Sequence, residues 1–206
     1  MRLAVIGAAG ATGKLIVKHA LKAGHDVTAV VRDPAKMTGS AGVRVAPGDM
    51  MDVESLVKAL ANHDAVVFAA GPPHMKASTA RSDGARNTVA AMQRLGIKRL
   101  VAISGLGAGE TRDRMGFFVS RVIVPLILGR LLADQNGLEQ VIRASDLDWT
   151  LVRPGEMKDA GSKGGVKVSQ DGTGITASVS RDDVAKFIVD ELTASKHIRN
   201  APSLGH

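Results

Sequence analysis

The 206-residue chain contains no cysteine and no tyrosine, and its aromatic side chains are four phenylalanines and one tryptophan. Without cysteine there is no disulfide, thiolate zinc site, iron–sulfur cluster or cysteine nucleophile. Without tyrosine, no phenol is present to donate or accept a proton in a reaction. We expect no metal site, and any proton chemistry must use other side chains or water.

Positive charge is in excess, with 27 Lys and Arg against 20 Asp and Glu and a formal net charge of +7. Such a charge favours anionic partners. The basic residues are scattered and lack interleaved aromatics, so we expect no nucleic-acid binding. Lys14, Lys18 and Lys22 recur at every fourth position, which is typical of a solvated helix face. A phosphorylated small molecule also suits the charge.

The length and the apolar segments indicate one domain that does not enter a membrane. The chain opens with an apolar strand pattern that runs into a glycine turn, which is not a signal peptide. The most apolar stretch, Phe117–Leu132, is interrupted by Arg121, Pro125 and Arg130 and is too short to span a bilayer well. We therefore expect a cytoplasmic protein.

Apolar strand patterns alternate with amphipathic helix patterns along the chain. The predicted strands are Arg2–Ile6, Asp26–Arg32, Val43–Ala46, Asp64–Ala70, Arg99–Ser104 and Trp149–Arg153. The predicted helices are Ala11–Ala23, Asp52–Asn62, Ser82–Leu95, Gly137–Ala144 and Ser180–Leu192. This alternation predicts a single α/β domain with a doubly wound parallel sheet covered on both faces.

Local signals refine these elements. Asp52 is a predicted N-cap, and Ser180 opens a capping-box type start. Pro154 is expected to stop the sixth strand. The polar, glycine-rich stretch Gly161–Gly174 is expected to hold a short hairpin or excursion, because Val166 and Val168 alternate with polar residues there.

The strongest local motif is the segment Gly7-Ala-Ala-Gly-Ala-Thr-Gly13, which follows the first strand and opens the first helix. Gly7 allows a tight turn, Gly10 lets the backbone approach a pyrophosphate, and the last glycine lets the helix pack closely. Free amides at the helix start would face the phosphates. Because strand, turn, helix and second strand occur in order, the motif predicts a Rossmann-type dinucleotide site. The predicted contacts are Gly7, Gly10, Ala11, Thr12 and Gly13.

The end of the second strand selects the nucleotide. NAD-binding chains usually place an acidic residue there, about 20 residues after the glycine turn, to bond the ribose 2′-hydroxyl. Arg32 occupies this region here, and a guanidinium suits a 2′-phosphate. Lys36 adds a second cation, whereas Asp33 would serve a 2′-hydroxyl if it turned inward. We predict NADP(H) as the cofactor.

Several segments, spread over nearly the whole chain, carry a family resemblance. They are Gly7–Gly13, Val31-Arg32-Asp33, Gly48-Asp49, Ser82–Met92 and Leu147–Gly155. Together they resemble the atypical short-chain dehydrogenase/reductase family, above all its NADPH-dependent flavin reductase (biliverdin-IXβ reductase) branch and the NmrA-like proteins. Ser82–Met92 is the most specific match to flavin reductase.

The resemblance implies cofactor contacts at the carboxyl ends of the strands, where open parallel sheets bind ligands. Asp49 and Met50 would lie in the adenine region, and Ala69, Ala70 and Gly71 beside the ribose. The nicotinamide end would be formed by Ser104, Gly105, Pro154, Gly155 and Glu156. Loops around residues 105–135 and 155–178 would form a small substrate-side region.

Many family members reduce carbonyls with a Tyr and a Lys four residues later, and the segment Asp134–Glu139 offers neither. Compared with flavin reductase, Ser104 stands in place of Thr, Gly105 in place of the active-site Ser, and Glu156 in place of His. Ser104 and Glu156 remain the candidate catalytic residues. Ser104 would bond the nicotinamide or substrate, or satisfy a backbone group. Glu156 would be an acid if buried, or else a solvated loop carboxylate.

These features lead to two hypotheses of different classes. A flavin or quinone accepts hydride into a conjugated ring and takes its proton from water, so the leading hypothesis is an NADPH-dependent reductase for such rings. The alternative is a non-catalytic NADP-binding redox sensor of NmrA-like type that acts through a protein partner. An epimerase fits less well, because such relatives usually need the Tyr and Lys.

Two further features stay open at this point. His74 would reach the substrate or lie at the surface. The apolar segment Met115–Leu132 would serve as core, as a mobile lid, or as a subunit interface. The protein is expected to be a monomer or a homodimer.

Overall fold

The computed structural model describes residues 1–37, 41–71, 79–109 and 129–206 of the chain. Its strands are β1 (Arg2–Ile6), β2 (Asp26–Val31), β3 (Arg44–Pro47), β4 (Ala65–Phe68), β5 (Arg99–Ile103), β6 (Asp148–Pro154), β7 (Glu156–Lys158), β8 (Lys167–Ser169), β9 (Ser178–Ser180) and β10 (Ser203–Gly205). Its helices are α1 (Ala11–Lys22), α2 (Val53–Leu60), α3 (Ala80–Leu95), α4 (Gly129–Arg143) and α5 (Arg181–Ala194). Pro34–Met37 forms a short 3₁₀ helix.

The main sheet has the strand order β3-β2-β1-β4-β5-β6-β10-β8. All its pairings are parallel except that of β8, which runs antiparallel to β10. The strand order reverses at β1, because β2 and β3 lie on one side of it and β4 to β6 on the other. Ligands bind outside the carboxyl ends at such a switch point. The predicted α/β Rossmann-type fold is confirmed, and β7 and β9 form a separate parallel pair.

Helices cover both faces of the sheet. Helices α1 and α5 pack together on one face, and α2, α3 and α4 pack side by side on the other. Alternate residues of β1 enter the two cores: Leu3 lies in the cluster that contains Ile16, and Ala4 in the cluster that contains Leu56. Each such buried Leu or Ile side chain contributes about 1.5–3 kcal/mol, which explains the near-continuous apolar strand sequences.

The helix ends explain two of the sequence signals. The Asp52 carboxylate accepts hydrogen bonds from Glu54 N at 2.9 Å and Ser55 N at 3.3 Å, which confirms it as the N-cap of α2. Helix α3 ends at Gly96, which has a left-handed φ of 70°. Helix α4 begins at Gly129, before Gly137, the residue at which the sequence analysis places its start. Gly137 lies inside the helix, at its contact with α3. A Cβ there would lie 2.9 Å from Ser82 Cβ.

The capping-box prediction is wrong: Ser180 is the N-cap residue of α5, but its hydroxyl donates to Ala160 O at 2.9 Å and makes no capping hydrogen bond. Of the hairpin and the excursion predicted for Gly161–Gly174, the structure shows no hairpin within the segment, because β8 pairs with the distant strand β10. The sixth strand ends at Pro154, one residue beyond the predicted Arg153, and Pro154 lies opposite Leu204 of β10.

Two predictions concern residues outside the described ranges. His74 and residues 115–128 of the apolar segment are not among them, so the alternatives given for both remain predictions. The substrate-side region also falls partly outside the described ranges. Of the helices that the structure does describe, none combines the length and apolar composition needed to cross a bilayer.

Candidate functional site

A cleft of about 200 Å³ lies outside the carboxyl ends of β1, β2 and β4. The turn after β1, the ends of β2 and β4, and the loop after β3 form its walls. The predicted contacts that line it are Gly7, Gly10, Arg32, Met50, Ala69, Ala70 and Gly71. The structure thus brings together, in one concave surface, residues that are far apart in the sequence.

The glycine turn forms the floor of this cleft. Gly7 has a φ of +84°, and a Cβ there would lie 2.8 Å from the Ala70 backbone at the end of β4. A Cβ on Gly13 would collide with the Gly7 carbonyl oxygen and lie 2.7 Å from Ala8 Cα. Only glycine therefore allows both the turn and the close approach of α1 to it. A Cβ on Gly10 would lie 3.3 Å from Gly7 O, which is tight but less severe.

The amino end of α1 points its backbone amides out of the turn. Gly10 is the N-cap, no side chain caps the helix, and its first turn contains no acidic residue. The positive end of the helix dipole is therefore not offset by a carboxylate within α1. Such an end binds phosphate through its N–H groups.

Arg181 supports the turn from the far end of the chain. Its Nη1 donates to Thr12 Oγ1 at 3.1 Å, and its Nη2 donates to Met157 O at 3.2 Å. Its Nε donates to the Asp159 carboxylate at 2.6 Å. Sequence reasoning did not identify Arg181 as part of the site, because no local pattern links it to a threonine that precedes it by most of the chain.

The end of β2 supplies the basic wall of the cleft. Arg32, Asp33 and Lys36 all line it, and all three are exposed. The Oδ1 of Asp33 accepts a hydrogen bond from Ala35 N at 3.1 Å, at the start of the 3₁₀ helix. This wall of the cleft therefore carries two cations and one carboxylate, of which one oxygen is already hydrogen-bonded.

Asp49 and Met50 follow β3 with different orientations. The Asp49 carboxylate accepts from Met51 N at 3.0 Å and does not line the cleft. Met50 lines the cleft, and its carbonyl oxygen accepts from Asn87 Nδ2 at 3.0 Å. A Cβ on Gly84 would lie 2.8 Å from the Met50 sulfur, so this glycine makes room for the side chain. A contact between Asp49 and the adenine stays a prediction.

The ends of β5 and β6 lie beyond the cleft, on the side of β4 away from Arg32. Ser104 N donates to Val152 O at 2.8 Å, and the Ser104 hydroxyl is buried with no hydrogen-bond partner in the described part of the chain. A Cβ on Gly105 would lie 2.7 Å from the amide nitrogen of Gln135. Among the described residues, the Ser104 hydroxyl therefore satisfies no backbone group.

Gly155 and Glu156 continue the backbone from the end of β6. Gly155 N donates to Leu204 O at 3.0 Å, and Glu156 N donates to Ala177 O at 2.7 Å. The Glu156 side chain is 70% exposed and pairs with Lys158 at 2.6 Å. The burial that an acid role for Glu156 required is absent, so this carboxylate is a solvated one.

Arg81, at the start of α3, is a residue of this region that the sequence reasoning missed. A Cβ on Gly71, which lines the cleft, would lie 2.9 Å from both Nε and Nη2 of Arg81. Burial lowers the pKa of this guanidinium, and the nearby Asp134 carboxylate opposes that shift. Arg81 remains a cation at the far end of the cleft from Arg32.

Comparison with known proteins agrees with this geometry. A family model described as NAD(P)H-binding matches residues 7–195. The UPF0659 protein YMR090W of Saccharomyces cerevisiae is 30% identical, over 93% of this chain and 87% of its own length.

Solved structures share the fold at lower sequence identity. The oxidoreductase ylbE from Lactococcus lactis superimposes with a TM-score of 0.88 at 18% identity, covering 100% of this chain and 91% of its own. A short-chain dehydrogenase/reductase from Veillonella parvula, in complex with NADP, has a TM-score of 0.81 at 20% identity and covers 100% and 94%. At such identities the likeness shows the fold alone.

Proposed function

Because the chain belongs to the NAD(P)H-binding family whose model spans residues 7–195, we propose that it is an NADPH-dependent reductase. Its acceptor would be a flavin, a quinone or a similar conjugated ring, and it would be a small molecule rather than a nucleic acid. Arg32 carries the proposal, because this exposed arginine lines the cleft at the end of β2.

The charges at this end of the cleft favour NADPH over NADH. Arg32 and Lys36 offer donors to a 2′-phosphate, and a bidentate guanidinium contact is among the stronger hydrogen bonds in proteins. Asp33 also lines the cleft and would oppose a phosphate, but one of its oxygens accepts from Ala35 N, and two cations flank it in the sequence. NADP is also the nucleotide bound to the Veillonella parvula protein of the same fold.

We expect Arg32→Ala to weaken NADPH binding about 10- to 100-fold, since a hydrogen bond to a charged group contributes about 1.5–3 kcal/mol. NADH has no 2′-phosphate, so its affinity should change less than about threefold. Titration of both reduced cofactors into the wild type and the variant, followed by cofactor fluorescence, measures the two ratios.

Arg86→Gln is the matched control, because it also removes one exposed positive charge but lies on α3, outside the cleft. It should leave both affinities unchanged. An NADPH preference that survives Arg32→Ala would show that another residue selects the cofactor.

The residues around the far end of the cleft suit a reaction without a side-chain acid. When bound, the cofactor supplies hydride and leaves as NADP⁺. Ser104 is buried, and Glu156 is solvated and paired with Lys158. A conjugated acceptor holds the electron pair in its ring and takes a proton from water, so the chain need only bind and orient the two molecules.

The second prediction is therefore NADPH oxidation with menadione or free flavin, with one acceptor reduced for each NADPH consumed. Glu156→Gln should change kcat by less than about twofold, since removing an exposed carboxylate removes no acid. Absorbance at the NADPH band, with anaerobic detection of the reduced acceptor, checks both results.

The sensor alternative has a different signature. It requires NADPH and NADP⁺ to bind with similar affinity, no turnover with a broad acceptor panel, and a protein partner recovered with the cofactor-loaded chain. Tight NADPH binding without turnover would favour it over the reductase.

A further inference from the structure

The Arg81 guanidinium lies beside Gly71, a residue that lines the cleft, and does not use all of its donors. Its side chain is 19% exposed and its Nη1 lies 3.7 Å from Asp134 Oδ2, which is an ion pair but not a hydrogen bond. In the described part of the molecule, Nη1 is buried and has no hydrogen-bond partner. A buried donor in this state costs free energy unless a ligand supplies an acceptor.

The Asp134 carboxylate accepts hydrogen bonds from the first turn of α3. Its Oδ1 accepts from Ser82 N and from Ser82 Oγ, both at 3.0 Å, and its Oδ2 accepts from Arg81 N at 3.2 Å. This buried carboxylate of α4 therefore caps the first turn of α3. Its ion pair holds the Arg81 guanidinium in place, while leaving Nη1 without an acceptor.

Two other polar side chains, those of Ser104 and Gln135, lie near the end of the neighbouring strand β5. Ser104, only 6% exposed, has a hydroxyl with no hydrogen-bond partner among the described residues. The Gln135 amide lies over Gly105, as the Arg81 guanidinium lies over Gly71. Because β4 and β5 are neighbours in parallel register, these positions share one edge of the sheet. Donors from α3, α4 and β5 thus lie at the same sheet edge as Gly71, which lines the cleft on the side away from Arg32.

We propose that Arg81, assisted by Ser104 and Gln135, binds an acidic group carried on the ring of the acceptor. The site would select conjugated rings with a carboxylate or sulfonate over neutral rings of the same shape. This proposal rests on the function proposed above, whose acceptor class it narrows. A guanidinium is suited to such a group, because its planar donors match two oxygens at once.

The test uses naphthoquinone and a naphthoquinone sulfonate, which share a ring system and differ in one acidic group. Equilibrium dialysis of each against the NADP⁺-loaded full chain gives two dissociation constants without turnover. The wild type should bind the sulfonate more tightly, and Arg81→Gln should reduce that preference about tenfold by removing one charged hydrogen-bond donor. Arg81→Lys should keep part of the preference, and raised salt should weaken it.

Arg86→Gln serves as the charge-matched control on the same helix, since Arg86 is exposed and pairs with Asp83. It should leave the preference unchanged. Ser104→Ala is the second variant, because its hydroxyl has no partner to lose among the described residues and the protein should fold normally. It should lower the affinity for the sulfonate about threefold.

The outcomes separate the two proposals. An unchanged preference in Arg81→Gln, an equal loss of affinity for both quinones, or no binding of either quinone overturns the role of Arg81. NADPH oxidation with the neutral quinone then still supports the reductase. Preferential, Arg81-dependent binding of the sulfonate without any NADPH oxidation would keep the acidic-group site and overturn the reductase.

Discussion

Gly13→Ala is expected to lower the free energy of unfolding by about 3 kcal/mol and to abolish tight dinucleotide binding. Alanine normally stabilises a helix interior relative to glycine by about 1 kcal/mol, so the contacts of the new methyl group decide the sign. Here the Cβ would meet only backbone: the Gly7 carbonyl group and Ala8 Cα at 2.7 Å. Backbone cannot rotate away as a flexible side chain can, so α1 must move off the turn.

Thermal unfolding and NADPH titration check this result. For a chain of this size, about 3 kcal/mol corresponds to a decrease in Tm of about 6–12 °C. Gly161→Ala is the matched control, because a Cβ there has no heavy atom within 4 Å and the residue has no positive φ. It should leave both Tm and affinity unchanged. A Gly13→Ala protein with the wild-type Tm would show that the turn can relax at little cost.

The strands, the helices and the parallel α/β fold class could be predicted from the sequence because their signals are local. An apolar run such as Val66–Phe68 and a helix with apolar residues every three or four positions are visible within a short window. The strands β8 and β10 were not predicted as a pair, because each has three residues and the two lie far apart in the sequence. They pair antiparallel, from Ser203 opposite Ser169 to Gly205 opposite Lys167. Nothing within either segment indicates its partner.

The residues of the candidate site also fall into a group with local sequence signals and a group without them. The glycine turn and Arg32 lie within one strand–helix–strand unit, so their spacing indicates a nucleotide site without the rest of the chain. Arg181 and Arg81 take their positions from tertiary packing, beside Thr12 and Gly71 respectively. An arginine in a helix is usually a solvated residue, and only the fold shows that these two have buried guanidinium contacts.

Arg153→Met is expected to destabilise the protein by about 3–5 kcal/mol, the usual cost of removing one partner of a buried ion pair. Arg153 is fully buried and Glu139 is 3% exposed, and the two form a bidentate pair with Nε–Oε1 at 2.8 Å and Nη2–Oε2 at 2.6 Å. The variant leaves the Glu139 carboxylate in the interior with Arg143 at 3.4 Å, a partner that is itself partly exposed. Urea unfolding measures the loss, and Lys186→Met on the exposed surface should change stability by less than about 0.5 kcal/mol.

The double variant Arg153→Met with Glu139→Leu decides what the pair contributes. Apolar replacements of both partners of a buried ion pair are often neutral or stabilising, so the double variant should recover most of the stability lost in Arg153→Met. The pair also joins the end of β6 to α4, and β6 runs directly into Gly155 and Glu156. If the double variant regains stability but binds NADPH more weakly than the wild type, the ion pair positions this wall of the site. Equal NADPH affinity in the two proteins would instead limit Arg153 and Glu139 to stabilising the fold.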